Sequence, residues 1–304
     1  MSRKINWPDG HDFAFTVVDD TDGATVKNIK PVYDYLYKKG IITTKTCWAF
    51  PPKDDRYTGD SLQNESYKSF LLDLKQKGYE IGFHNAGSGG FTREETLKGF
   101  ELFKSTFGEY PSLHINHSNN IENLYWGHKR FTGLIKLIYK LKSKRHYLGD
   151  EKNSEYFWGD FAKEHIKYIR NRTFNTLDTL KEDKRIVYKE KGKEEYANYF
   201  FSSSDGMRLA QFLKLLKKEN VDSLVKNHGC AIVYTHFAYD FVDENEVLSE
   251  EFKRKIDYLA SKNGWFVPAG QLLDYVLKDK EYSPSVFYQN MLDIKWFAER
   301  LFKG

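Results

Sequence analysis

Short runs rich in β-branched and aromatic residues alternate along the chain with stretches whose apolar positions recur every three to four residues. That alternation predicts βα units and a parallel sheet. DFAFTVV (12–18) reads as the first strand. A helix is expected over 25–39, with Val32, Tyr35 and Leu36 on one face and Gly40 as its stop. A strand follows at 43–49, a polar loop at 51–64, a helix at 67–77 stopped by Gly78, and a short buried strand at 80–83. Gly87, Gly89 and Gly90 loosen the next loop. Thr92 then caps a helix running to about Phe107, with Glu95 completing a capping box. Later strands are expected at 112–116, 168–174, 199–203, 231–235 and 265–267, and later helices at 207–219 and 250–261. The unit repeats seven or eight times with no linker and no sequence repeat, so one domain over 1–304 is the expectation.

Two stretches break the rhythm. Residues 121–165 form an insertion after the fourth strand. A C-terminal helix, about 286–302 within 284–304, follows the last βα unit and is expected to pack across it. Inside the insertion, 132–148 is basic and amphipathic: Leu134, Ile135, Leu137, Ile138 and Leu141 interleave with Lys136, Lys140, Lys142, Lys144 and Arg145. The commonplace reading is a helix packed on the body with a solvated basic face. The functional reading is peripheral contact with an anionic membrane.

Composition narrows the class. Among 304 residues, 47 basic side chains stand against 43 acidic ones, a net charge of +4 that gives no general case for nucleic-acid binding. The two cysteines, Cys47 and Cys230, fall in apolar strand-like runs and read as reduced core residues. The first residues lack the apolar run of a secretory signal, and no stretch reaches the ~18 apolar residues of a membrane span. A cytoplasmic protein is the expectation.

In a βα barrel, function gathers at the C-terminal ends of the strands. Asp19, Asp20, Thr21, Asp22 and Gly23 follow the first strand, and His84 and Asn85 the third. His114, Asn116 and His117 lie at and after the fourth. Arg170 and Arg172 sit on the fifth, before Asn175; Asp205 and His236 end later strands. Adjacent carboxylates repel when buried, and proteins tolerate them where a cation or an acid–base role compensates. An acid with two or more histidines suits a divalent transition metal, zinc first. Each residue also has a plainer use. Asp favours helix caps, which applies to Asp19, Asp20 and Asp205. A lone strand-end histidine is commonly a hydrogen-bonded structural one, and an arginine such as Arg172 commonly ends in a salt bridge. Trp48, Trp126, Trp158 and Trp265 offer either core volume or stacking faces for a sugar ring.

FTVVDD resembles the first motif of the polysaccharide deacetylase (NodB-homology, carbohydrate esterase family four) superfamily. EIGFH resembles the strand leading into its second motif and IVYTH its last, over roughly residues 12–275. The resemblance implies a distorted (β/α) barrel of about seven strands that removes acetyl groups from sugars with one divalent metal. By motif position it makes Asp19 the catalytic base, Asp20 and His84 metal ligands, and His236 the general acid. The family's next histidine, four residues on, is Ser88 here. Its Arg-x-Pro-x-Gly element is replaced by HINHSNN. His117 is the expected replacement ligand, with His114 second; Ser88 or water could also fill the position. Asn85, His114, Asn116, Arg172 and Asp205 are expected to bind substrate or to support the site, Arg172 toward an anionic group and Asp205 behind His236.

The function so implied is a metal-dependent hydrolase of an acyl group on a carbohydrate, nucleotide- or lipid-linked if the protein acts inside the cell during glycan assembly. A barrel that has lost the chemistry and only binds carbohydrate, or regulates, is the alternative. A third reading is a hydrolase of a non-sugar amide or cyclic imide, since fold does not fix substrate.

Overall fold

The computed structural model describes residues 4–143, 145–278 and 282–301. Among these residues nine strands share one sheet: β1 (Phe13–Asp19), β2 (Thr44–Cys47), β3 (Glu80–Phe83), β4 (Leu113–His114), β5 (Tyr168–Phe174), β6 (Val187–Tyr188), β7 (Tyr199–Asp205), β8 (Cys230–Thr235) and β9 (Gly264–Phe266). The parallel path β2-β3-β4-β5-β7-β8-β1 closes because β1 also pairs with β2, giving a seven-stranded barrel. Closure is made only by Val18 and Asp19 against Thr44 and Lys45. The N-terminal half of β1 pairs with β9 instead, through Phe13 to Phe15. The barrel is therefore split at its base and shut at its C-terminal rim, where polar groups gather. β6 lies off the barrel, antiparallel to β7.

Both faces of the strands are covered, which is why β1 reads as an unbroken apolar run. Phe13, Phe15 and Val17 join the large cluster beneath the flanking helices, whereas Ala14 and Val18 join a second cluster with Ile232, Leu272 and Leu273. The helix Ala269–Leu277 supplies those leucines. Its first amides bond Thr44 Oγ1 (2.8 Å) and Glu80 Oε2 (2.9 Å) at the starts of β2 and β3. Each such buried side chain contributes roughly 1.5–3 kcal/mol relative to exposure. Cys47 and Cys230 are both buried and neither forms a disulfide, as expected.

Most elements lie within two residues of expectation. The helix Arg93–Phe107 opens with the Thr92–Glu95 capping box and ends on Gly108 in the left-handed region. One long helix was expected over 207–219; two short ones form, Leu209–Leu215 and Lys218–Lys226. The basic helix is shorter than its pattern: it spans Gly133–Lys142, and Lys144 lies outside the described residues. Its continuation is drawn into the body instead, where the Leu148 amide bonds the Ile121 carbonyl at 2.7 Å. The C-terminal helix Val286–Leu301 packs across this insertion helix and β5. Phe131, Ile135, Phe174, Leu292 and Trp296 form their shared core, and Thr132 bonds Asp293 Oδ2 through both its amide and its hydroxyl at 2.8 Å.

Candidate metal and acid–base site

The rim brings the strand-end residues together through register. Asp19 is paired with Thr235 and Phe83 with His114 across their ladders, so the residues that follow each strand emerge at one level. Asp20 continues the ladder through its amide to the Thr235 carbonyl at 2.8 Å. The turn then folds back, with Gly23 at φ 72°, where an added Cβ would lie 2.7 Å from the Tyr239 ring. This turn swings Asp22 over the barrel mouth.

Asp22, not Asp20, meets the histidines most closely. Its Oδ1 is 3.0 Å from His117 Nε2 and 3.6 Å from His84 Nε2, and its Oδ2 is 2.8 Å from His236 Nε2. Ligand-type atoms of Asp22, His84 and His117 lie within 4.8 Å of one another. Each imidazole is tethered behind: His84 Nδ1–H donates to the Ile115 carbonyl (3.0 Å), His117 Nδ1–H to Asn120 Oδ1 (2.9 Å), and His236 Nδ1–H to the Met207 carbonyl (3.0 Å). Outward tethering fixes the tautomer and turns Nε2 to the site, the arrangement common to metal-binding histidines. Asp22 Oδ1 and His117 Nε2 are buried without a well-formed hydrogen bond. Bonds of ~2.0–2.2 Å to zinc put neighbouring ligand atoms roughly 3–3.5 Å apart. The spacing and the two orphaned atoms fit a divalent cation.

Asp20 has a different setting. Its carboxylate takes a paired contact from the Arg170 guanidinium, Nη1 to Oδ1 at 2.9 Å and Nη2 to Oδ2 at 2.5 Å, and stands 3.8 Å from His84 Nε2. Burial pushes its pKa up, but the charges of Arg170 and His84 outweigh it and hold the group below the usual carboxylate range. Arg170 is itself stacked on Tyr234, 4.2 Å from the ring centre. Asp22 is held well below the ordinary value: burial opposes ionisation, and the three histidines more than offset it. Burial lowers the affinity of His236 for a proton, yet Asp22 and Asp20 raise its pKa overall; His117 is raised by the same two acids.

The remaining expected residues divide. Asp19 does not reach the cleft. It is fully enclosed, bonded to Lys45 Nζ (3.0 Å), the Tyr33 hydroxyl (2.9 Å) and the Phe237 amide (2.7 Å). His114 is buried against Trp158 with neither ring nitrogen hydrogen-bonded, and burial drives its pKa down to about 3, so it is a neutral core residue. Ser88 is also buried and donates to Asp54 at 3.0 Å. Asn85, at φ 57°, accepts the His117 amide (2.8 Å) and donates to Glu122 (2.8 Å). Asn116 lines the cleft but clasps Leu124 through both amide atoms. Arg172 is wholly buried beneath the C-terminal helix with Asp293, Glu190 and Tyr188, and is not open to substrate. Alternation should put Arg170 and Arg172 on one face, but the β5–β7 ladder is irregular between Arg170 and Thr173, and a bulge re-aims side chains. Asp205 faces Arg300 (3.3 Å), while both ring nitrogens of His236 are taken by other groups.

Several contributors lay outside the sequence expectation. Glu122 is buried and accepts from Asn85, Asn120 and the Phe91 amide, so it braces both asparagines that hold His117. Trp296, Arg130 and Tyr57 join Asp20, Asp22, His84, His236 and Trp126, the last expected as a stacking face, around a cleft of about 560 Å³. Asp22 is among the residues expected past the first strand, but its meeting with the histidines is not; the DDTD spacing, which sets a third acid there, is the signal for it. Arg130 and Trp296 carry no such signal, because their approach depends on how the insertion and the C-terminal helix pack.

Comparison with solved structures gives the fold. The chain is similar to the PuuE allantoinase (TM-score 0.56, 12% identity, covering 91% of this chain and 94% of that one). It is equally similar to a probable polysaccharide deacetylase from Pseudomonas aeruginosa PAO1 (TM-score 0.56, 11% identity, 91% and 95%). No protein-family model matches the chain, and no curated protein does. The likeness gives the fold: this chain shares its barrel with both of these structures.

Proposed function

We propose that the protein is a metal-dependent hydrolase that removes an acyl group from a carbohydrate. The observation that carries this is the convergence of Asp22, His84 and His117 beside a separate, arginine-held carboxylate, Asp20, and a protonatable imidazole, His236. Asp22, His84 and His117 would hold the cation; Asp22 takes the place of Asp20, which motif position implies beside His84, and His117 is the replacement third ligand. A divalent metal there, zinc first, would polarise the acyl carbonyl and make water more acidic. Asp20, in place of Asp19, would accept the proton of the attacking water as the new C–O bond forms. His236 would give a proton to the departing amine or alcohol as the C–N or C–O bond breaks, leaving the free carboxylate and the deacylated sugar. Trp126, Tyr57, Tyr239 and Trp296 supply ring faces along the cleft.

Acetate release from N- and O-acetylated sugars, with metal removed and restored, tests this reading. Turnover that needs both the metal and Asp20 is expected. Turnover of allantoin or a cyclic imide alone would move the reading to a non-sugar amide hydrolase. No turnover of any of these would favour a carbohydrate-binding barrel without chemistry.

We also propose that the protein meets a membrane through the insertion, as a lipid-linked substrate would require. Ile135 and Ile138 pack inward, but Leu134, Leu137 and Leu141 stay exposed, as do Phe287, Met291 and Ile294 of the C-terminal helix that packs on this one. No helix among the described residues is long and apolar enough to cross a membrane. Flotation with anionic liposomes should occur for the wild type and fail when the three leucines become serine. Equal flotation, or none, would overturn it.

A further inference from the structure

We propose that Arg130, clasped between Trp126 and Trp296, is a subsite for an oxyanion carried by the substrate, a phosphoryl or carboxylate group. This rests on the hydrolase reading and names its substrate class as anionic. Arg130 lines the same cleft as Asp20, Asp22 and His236. Its guanidinium lies 4.5 Å from the Trp126 ring centre and 4.9 Å from that of Trp296. Nε donates to Asn171 Oδ1 at 3.0 Å, and Nη2 donates to the Asn171 carbonyl. Asn171 is oriented in turn by donating to Glu190 at 2.8 Å. The guanidinium plane is therefore set by packing and by one residue's two oxygens, while Nη1 bonds to no described residue.

Charge completes the case. Of the acids that line this cleft or hold Asn171 and Arg172 beneath it, Asp20 is engaged by Arg170, Asp205 by Arg300, Glu190 by Lys193 and Arg172, and Asp293 by Arg172, while Asp22 meets the histidines. No carboxylate among the described residues pairs with Arg130. Burial, with the charges of Arg300 and Arg172, pushes its pKa down to about 9. Arg300 stands over the same indole, 4.1 Å from the Trp296 ring centre. A partly buried guanidinium without a counter-ion is costly to keep, and an oxyanion across its free N–H groups removes that cost. Arg172, the arginine expected to meet an anionic group, is already neutralised by Asp293 and Glu190, so the role passes to Arg130.

The test is calorimetric titration of the metal-loaded protein with inorganic pyrophosphate and, separately, with glucuronate. Binding of at least one is expected, weakened about tenfold or more in Arg130→Gln and retained in His117→Ala. The ligand that binds decides between phosphoryl and carboxylate. If Arg130→Gln does not melt cooperatively, Arg130→Lys serves: it should bind detectably but more weakly than wild type. No binding of either ligand, equal binding in the arginine variants, or loss in His117→Ala with retention in Arg130→Gln would overturn the subsite. The last result would place the anion on the metal. None of these readouts depends on turnover, so the subsite and the hydrolase reading fail separately.

Discussion

The carboxylate of Asp19 stands 3.0 Å from the ammonium of Lys45, and neither side chain is exposed. The two are register partners in the short ladder between β1 and β2 that closes the barrel. Burial pushes the Asp19 pKa up; Lys45, the Phe237 amide and the Tyr33 hydroxyl oppose it. The pair thus holds the seam beneath the site. Breaking a buried pair from one side strands a charge and costs about 3–5 kcal/mol. Lys45→Met should lower stability by that order in chemical denaturation, while the folded fraction keeps its metal. Loss of metal at unchanged stability would instead make Asp19 a member of the site.

Arg170 holds Asp20 ionised. In Arg170→Met the Asp20 pKa should rise, because burial is then unopposed by that charge. A base acts only above its pKa, so the acid limb of the kcat/KM profile should move up by about one to two pH units. An unmoved limb with a uniformly lower rate would show that Arg170 only shapes the cleft.

Glu122 supports His117 through Asn120, and burial raises its pKa to about 7. Its folded-state pKa therefore exceeds its ordinary value near 4.5. The stability linked to that shift is present below about pH 4.5 and is lost as pH rises through about 7. Wild type should lose up to about 3 kcal/mol over that window relative to Glu122→Gln. The same variant puts an amide donor among three donors, so metal affinity should fall about 10–100-fold. Identical pH slopes in the two proteins would remove Glu122 as the titrating group.

Much of this was legible in the chain. Apolar runs and glycine stops locate the strands, because both faces of a parallel barrel are buried. His84, His117 and His236 follow from their places after β3, β4 and β8. The roles of the acids were less legible. Motif position points to Asp19 and Asp20, but β1 runs one residue further than its apolar run, and that residue is Asp19, enclosed by Lys45. The acids at the mouth are thereby Asp20 and Asp22. Arg172 took the plainer of its two readings, a salt bridge, with Asp293 and Glu190; Arg170 faces the cleft instead, and the ladder of β5 is irregular between the two. Glu122, Arg130 and Trp296 belong to the insertion and the C-terminal helix, whose docking no local pattern encodes.

Bound metal in purified wild type, Asp20→Asn and Asp22→Asn tests the central claim most directly. The account predicts near-stoichiometric divalent metal in wild type and in Asp20→Asn, and its loss in Asp22→Asn. Retention in Asp22→Asn with loss in Asp20→Asn, or no uptake by the wild type from zinc, cobalt or nickel, would contradict it.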